Sequence, residues 1–135
     1  MDTSGGFSEY IRVPSKWAVK CSSDFSTKEA MMLGTAGMTA GLAILSMADK
    51  LTLNKSKAVV SGATGGVGSI GVKLLSQLGA DVTAITGKMD KKSWLKELGA
   101  SKVLDRKRFI DSTSHPLSKG KYDICLLYTS DAADD

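Results

Sequence analysis

The stretch from Lys57 to Ser69 reads KAVVSGATGGVGS, and it decides the fold. Its first part, KAVVS, is a short apolar run bounded by polar residues, which is typical of a buried strand. A glycine-rich turn follows, and the apolar residues after it recur at helical spacing until Gly79. The stretch therefore predicts a strand, a tight turn and a helix from Val67 to Leu78.

Strands and helices continue to alternate on the C-terminal side of this stretch. We predict a second strand over 81–86, a helix over 90–98 ended by Gly99, a third strand over 102–104 and the start of a fourth at 122–124. Strands that alternate with helices at this spacing form βαβ units and a parallel sheet. The predicted fold class is α/β, a partial Rossmann-like doubly wound parallel sheet.

On the N-terminal side, Ser26-Thr27-Lys28-Glu29 is a capping box that should begin a helix. The helix can run to about Asp49, with a break near Gly34 or Gly37. The nineteen residues between Glu29 and Asp49 are uncharged, so a membrane span is one interpretation. Six of the nineteen are Gly, Thr or Ser, which favours instead a buried helix that packs closely through its small residues.

Composition excludes several classes of protein. The 135 residues suffice for one domain, and 42% hydrophobic residues with only two prolines exclude a disordered or collagen-like chain. Two cysteines and the single His115 cannot form a closed zinc site, and they are too few for a secreted disulfide scaffold. The formal net charge of +4 suits an anionic ligand without requiring nucleic acid.

Both ends of the chain carry unusual sequence. Residues 125–135 read CLLYTSDAADD, which resembles a translated sequencing-library adapter, so we expect them to be an artefact. Removing them takes away three acidic residues and raises the net charge to +7. At the other end, Phe7 to Val13 alternates with period two and predicts a half-buried strand. We expect the chain to begin inside a longer protein.

The turn Gly62-Ala63-Thr64-Gly65-Gly66-Val67-Gly68 carries the chemistry. Glycines let a backbone turn sharply and approach a pyrophosphate without a Cβ in the way. The following helix offers free N–H groups and the positive end of its dipole to the phosphates. The strand before and the helix after supply the context that such a motif needs. No Gly-Lys-Ser/Thr follows, so the turn is not a P-loop.

The end of the second strand distinguishes between the two nicotinamide dinucleotides. NAD-binding proteins place Asp or Glu there to accept hydrogen bonds from the ribose hydroxyls. This chain has Thr86-Gly87-Lys88, and the nearest acid, Asp90, is expected to be an N-cap of the next helix. A lysine ammonium and a threonine hydroxyl would bind a 2′-phosphate. The sequence therefore favours NADPH.

Four stretches occur in an order that resembles a known family: GTAGMTA at 34–40, SGATGGVGS at 61–69, ITGK at 85–88 and LKELGASKVLDR at 95–106. They resemble the zinc-independent, quinone-oxidoreductase-like branch of the medium-chain dehydrogenase/reductases, and most of all its NADPH-dependent acrylyl-CoA reductase group. The resemblance implies three parts: residues 1–25 as a remnant of a GroES-like catalytic domain, 26–124 as a partial NADP-binding Rossmann domain, and 125–135 as the artefact.

The resemblance also implies the roles of individual residues. Gly62 and the run Thr64, Gly65, Gly66 and Val67 would hold the pyrophosphate, and Thr86, Gly87 and Lys88 the 2′-phosphate. Thr39 would lie toward the nicotinamide and Lys102 near the adenine. The family more often has Ser-Gly-Arg where this chain has Thr-Gly-Lys, so the bidentate guanidinium is absent. No metal ligand and no catalytic residue is assigned.

The implied activity is hydride transfer from NADPH to the β-carbon of an enoyl-CoA or similar small molecule. The whole enzyme would be a cytoplasmic homodimer with no nucleic-acid or membrane partner, and we expect the 135 residues alone to be inactive. Three alternatives stay open: a quinone or enal/enone reductase of the same branch, an atypical short-chain reductase or epimerase, and a non-catalytic nucleotide-binding protein on a reductase fold.

Overall fold

A computed structural model describes residues 6, 8–112 and 120–127, with side chains omitted at 110–112. The chain divides into two compact units, residues 1–32 and 33–135. His115 lies outside the described residues, as does most of the segment 125–135.

Among the described residues of the first unit, one 3-10 turn, Ser15–Trp17, precedes the first long helix. The predicted strand at 7–13 is wrong over its described part, because residues 8–13 form no strand. Tyr10 and Ile11 are exposed. A strand needs a neighbour for its backbone hydrogen bonds, and no described residue supplies one here.

The capping box at the start of the first helix is confirmed. The Glu29 N–H donates to Ser26 Oγ at 3.2 Å, and the Ser26 N–H and hydroxyl both donate to Glu29 Oε2, at 2.9 and 2.6 Å. These side-chain and backbone hydrogen bonds from Ser26 favour the ionised carboxylate and lower the pKa of Glu29.

The pH dependence of this cap follows from that shift. A depressed folded-state pKa means that the cap stabilises the helix above the unfolded pKa of Glu29 and loses this contribution as the pH falls through the folded pKa. We expect the Ser26 amide resonance to titrate at that lowered pKa in an NMR pH series. In Glu29→Gln the titration should be absent, and an unchanged Ser26 titration in this variant would contradict the cap.

Helix α1 spans Thr27–Ala48 and is interrupted at Gly34, whose φ of 43° and ψ of −147° are not helical. The predicted break is therefore confirmed. In the second unit α1 buries Ala40 and Ile44, and Met47 packs half-buried against the core, while Met38, Leu42 and Leu45 are exposed. The expectation of a buried helix is met only along this one narrow face.

Helix α1 is also long and apolar enough to cross a membrane, by length and composition only, and 11% of its most apolar window is buried. That no membrane is involved stays a prediction.

The described part of the second unit forms a four-stranded sheet in which all three pairings are parallel. Its elements in chain order are β1 Lys57–Val60, α2 Gly66–Gln77, β2 Asp81–Thr86, α3 Lys92–Glu97, β3 Lys102–Asp105, α4 Arg106–Ser112 and β4 Ile124–Leu126. The strand order β3-β2-β1-β4 matches the first four positions of the doubly wound order 3-2-1-4-5-6. The predicted α/β class and the first three strands are confirmed, while the fourth strand begins at Ile124 and not at Tyr122.

One face of the sheet carries the core. Ala58 and Val60 of β1 lie in register with Val82 and Ala84 of β2, so the four side chains share a face. All four are fully buried in one cluster with Val72 and Leu75 of α2. The helical spacing after the glycine turn thus marks the side of α2 that packs on the sheet. This packing fixes the N-terminus of α2 above the carboxyl end of β1.

The segment between β2 and α3 differs from its prediction. A short 3-10 turn, Met89–Lys91, precedes α3, and Asp90 lies inside it and caps neither helix with its side chain, so its predicted N-cap role is wrong. The extra turn moves the start of α3 to Lys92.

Near the C-terminal end of the described residues, Cys125 and Leu126 belong to β4 and pair with Val59 and Val60. The adapter origin of residues 125–135 stays a prediction.

Candidate functional site

The glycine turn lies at the carboxyl edge of the sheet, where β1 has β2 on one side and β4 on the other. Gly62 adopts a left-handed φ of 57°, which an L side chain rarely tolerates. The turn closes with a hydrogen bond from Gly65 N–H to the Gly62 carbonyl at 2.9 Å. The Ala63 N–H donates to the Ile85 carbonyl at 3.1 Å, which ties the turn to β2. The sheet therefore holds the turn at the point where its strand order reverses, where ligands of such sheets bind.

Two glycines let the start of α2 approach its neighbours closely, Gly68 the turn and Gly66 helix α1. A Cβ on Gly68 would collide with the Gly62 carbonyl oxygen and lie 2.8 Å from its carbon and 2.9 Å from Ala63 Cα. A Cβ on Gly66 would lie 3.2 Å from Ala36 Cβ of α1. The first N–H groups of α2 consequently face the turn, which is an arrangement that binds phosphate.

Two threonine hydroxyls connect the turn to the end of β2. Thr64 Oγ1 lies 3.2 Å from Thr86 Oγ1, and the Lys88 N–H donates to Thr86 Oγ1 at 2.9 Å. Thr86 is only 3% exposed, whereas Gly87 and Lys88 are exposed. The structure thus brings both predicted phosphate subsites together. It also gives Thr86 a positioning role, since its hydroxyl holds the 87–88 turn and is itself buried.

The tip of β2 is cationic at its exposed residues. Lys88 carries the charge, and a Cβ at Gly87 would meet no atom within 4 Å. Asp90 lies beyond the tip, and its carboxylate pairs with Lys91 at 3.7 Å. Asp105 of β3 is in register with Thr86, but its carboxylate accepts a hydrogen bond from the Lys107 N–H at 2.8 Å. No acid therefore occupies residues 86–88, where an NAD-specific site would have one.

A cavity of about 620 Å³ beside this tip was missed by sequence reasoning. It is lined by Met89, Lys92, Val103, Leu104, Asp105, Arg108 and Phe109. Helix α4 supplies its far wall and was not predicted. The run Arg106-Lys107-Arg108 directly after β3 was the available signal, because it adds cations close to a predicted phosphate subsite.

The remaining predicted site residues lie apart from the β2 tip. Val67 is buried in the first turn of α2. Thr39 is half-buried in α1, one helical turn after Ala36, and its hydroxyl donates to the Thr35 carbonyl at 2.8 Å. This internal bond satisfies the Thr39 proton, so its place near a nicotinamide stays a prediction.

Lys102 does not join the site. It is the first residue of β3 and lies in register with Thr83, three residues before the pairing of Asp105 with Thr86. Three residues of strand amount to about 10 Å, which places Lys102 toward the amino edge of the sheet, away from the glycine turn. Its implied place near an adenine is not supported. Lys102 lies in the predicted third strand, but at the end of that strand that is remote from the turn.

No group of three or more metal-ligating side chains occurs within the described residues. Cys21 and Cys125 are both free and exposed.

Comparison with known proteins gives relatives but no family model that matches. The chain is 44% identical over 119 residues to "Putative quinone oxidoreductase YhfP" of Bacillus subtilis, a match that covers 87% of the chain and 36% of that protein. It is 35% identical over 123 residues to "Acrylyl-CoA reductase AcuI" of Ruegeria pomeroyi, covering 90% of the chain and 37% of that protein. The chain thus spans little more than a third of the length of these relatives.

Solved structures agree with these relatives. The Bacillus subtilis protein with NAD bound matches with a TM-score of 0.81 at 43% identity, over 90% of this chain and 37% of that one. The oxidoreductase of Salmonella enterica in complex with NADP matches with a TM-score of 0.77 at 39% identity, over 87% of this chain and 36% of that one.

Proposed function

Because this chain is homologous to oxidoreductases of the medium-chain dehydrogenase/reductase superfamily and fits their zinc-independent branch, we propose that it forms the nucleotide-binding part of an NADPH-dependent reductase. The observation that carries the proposal is the tie between Thr64 and Thr86 across the glycine turn and the acid-free tip of β2. One continuous surface then presents helix N–H groups to a pyrophosphate and a lysine to a 2′-phosphate.

The residues present fit this cofactor. A dinucleotide needs a close backbone approach at its pyrophosphate, and the glycine turn at 62–68 supplies a backbone with few side chains where α2 begins. The 2′-phosphate needs a cation and no carboxylate, which is the composition of residues 86–88. When bound, the nicotinamide would supply the hydride, while this chain binds and orients it.

We propose further that the reaction reduces an activated C=C bond of the acrylyl-CoA type. The relatives favour two acceptor classes, because one is named as an acrylyl-CoA reductase and another as a quinone oxidoreductase. Substrate preference is measured on a longer polypeptide that contains this segment and has the full length of these relatives. We expect it to oxidise NADPH faster with acrylyl-CoA than with p-benzoquinone or an enone. The rate is measured as the fall in NADPH absorbance at 340 nm. A preference for the quinone would establish the alternative.

Dinucleotide preference can be measured on the chain itself. In an NMR titration of the ¹⁵N-labelled chain we expect NADP⁺ to bind at least about tenfold more tightly than NAD⁺, since a charge-assisted contact to phosphate is worth about 1.5–3 kcal/mol. Lys88→Gln should remove most of this preference. Lys73→Gln, which changes an exposed lysine on α2, is the matched control and should retain it. Equal affinities for both dinucleotides in the unmodified chain would contradict the proposal.

A further inference from the structure

A second cavity opens at the amino edge of the sheet, on the side away from the glycine turn. Its volume is about 590 Å³, within the range of small-molecule sites. It is lined by Lys57, Asp81, Thr83, Lys102, Gly120, Lys121 and Tyr122. Three of the seven residues are lysines, contributed by β1, by β3 and by the segment before β4.

The register of the strands directs two of these lysines to one side of the sheet. Lys57 pairs with Asp81, and Lys102 pairs with Thr83, so all four side chains share a face. The two lysines flank β2, each one strand spacing of about 4.8 Å from it. Their flexible four-carbon stems allow both ammonium groups to reach a single anion above β2. Thr83, which is 4% exposed, lines the cavity between them.

The third lysine is held near the other two by a clamp of hydrogen bonds. Asp123 Oδ2 accepts from the Lys57 N–H at 2.8 Å, and the Asp123 N–H donates to the Lys57 carbonyl at 2.8 Å. Lys121 lies two residues before this clamp and therefore stays beside β1. Tyr122, between them, packs its ring against Phe109 with centroids 6.3 Å apart.

The positive charge of this cavity is not neutralised by the described residues. None of the three lysines forms an ion pair with another described residue. Asp81 lines the same cavity, but its carboxylate accepts a hydrogen bond from the Ser101 hydroxyl. The three ammonium groups thus face the carboxylates of Asp81 and of Asp123, which accepts from the Lys57 N–H, and one positive charge remains in excess on a concave surface that attracts anions.

We propose that Lys57, Lys102 and Lys121 form a second anion site that binds a phosphate-bearing small molecule, separate from the dinucleotide site at the opposite edge. The volume exceeds what inorganic phosphate needs, so the ligand carries a further group beside its phosphate. This inference does not depend on the proposed reductase function, because no residue of the glycine turn or the β2 tip takes part in it.

The test is a titration of the ¹⁵N-labelled chain with inorganic pyrophosphate, and in parallel with ADP, at 150 mM NaCl. We expect saturable shifts at the amides of Thr83, Lys102, Lys121 and Tyr122, with ADP binding more tightly than pyrophosphate. The triple variant Lys57→Gln/Lys102→Gln/Lys121→Gln should weaken these shifts at least tenfold. The control Lys50→Gln/Lys73→Gln/Lys96→Gln removes the same charge from exposed lysines elsewhere and should change the affinity less than twofold.

Three results would overturn the proposal. One is equal loss of affinity in both triple variants, which would mean diffuse attraction to a basic protein. Another is a set of shifts confined to residues 62–68 and 86–88, which would place both probes in the dinucleotide site. The third is the absence of saturation at 10 mM of either probe. All three site lysines are exposed, and a far-UV circular dichroism melt checks that the variants remain folded.

Discussion

Replacing Gly68 by alanine should destabilise the second unit by about 3 kcal/mol or more, at the upper end of the range for overpacking. The added Cβ would collide with the Gly62 carbonyl oxygen and crowd Ala63 Cα. These obstacles are backbone atoms, so no side chain can rotate away and α2 must shift from the turn. The same shift would misplace the N–H groups that face the phosphates. We therefore also expect NADP⁺ affinity to fall by about 100-fold, as for the loss of two hydrogen bonds to a charged group.

The free energy of unfolding is measured by urea denaturation with circular dichroism as the readout. The NADP⁺ affinity is measured in the same NMR titration as above. Gly41→Ala is the matched control, because a Cβ there meets no atom within 4 Å. In a helix interior this change should raise the free energy of unfolding by up to about 1 kcal/mol. Equal stability of Gly68→Ala and the unmodified chain would show that α2 does not rest on the turn as described.

Replacing Gly87 by aspartate should reverse the dinucleotide preference. Gly87 follows β2 directly, its φ is not left-handed, and space around its Cβ is open, so the new side chain fits without strain. The carboxylate would repel a 2′-phosphate and accept hydrogen bonds from the free ribose hydroxyls of NAD⁺. We expect NADP⁺ to bind about 100-fold more weakly and NAD⁺ several-fold more tightly, since a close like-charge pair costs several kcal/mol.

The matched control is Gly87→Asn, which has nearly the same shape without the charge. It should lower NADP⁺ affinity less than tenfold and leave NAD⁺ affinity nearly unchanged. A comparable loss of NADP⁺ affinity in Gly87→Asp and Gly87→Asn would indicate a steric effect. Charge at the β2 tip would then not determine the dinucleotide preference.

The central part of the fold could be predicted because its local signals agree with one another. β2 was predicted with its observed bounds, and the break in α1 was placed at a glycine that proves non-helical. Where a signal depended on distant partners, prediction failed. The alternation before Pro14 resembles a strand, but alternation only states that one face is apolar and does not supply a neighbouring edge.

Prediction of the site followed the same division. The turn and the β2 tip are each contiguous in sequence. Each follows a strand, and the parallel pairing of β1 with β2 brings the carboxyl ends of these strands to the same edge of the sheet. The hydrogen bond between Thr64 and Thr86 could not be read from sequence, since it joins residues 22 positions apart through side-chain rotamers. For Lys102, by contrast, the strand was predicted but the position along it was not. The residue lies at the amino end of β3, and the predicted site lies at the carboxyl end.

The pairing of β4 with β1 has a consequence for the order of folding. The clamp between Lys57 and Asp123 joins residues 66 positions apart, whereas Lys57 and Asp81 of the β1–β2 pair are 24 apart. Closing the longer loop costs about 1 kcal/mol more in chain entropy. We therefore expect β1, α2 and β2 to form the nucleus and β4 to add late. Until it does, the edge of β1 is exposed, and the growing chain is most open to mispairing at that stage.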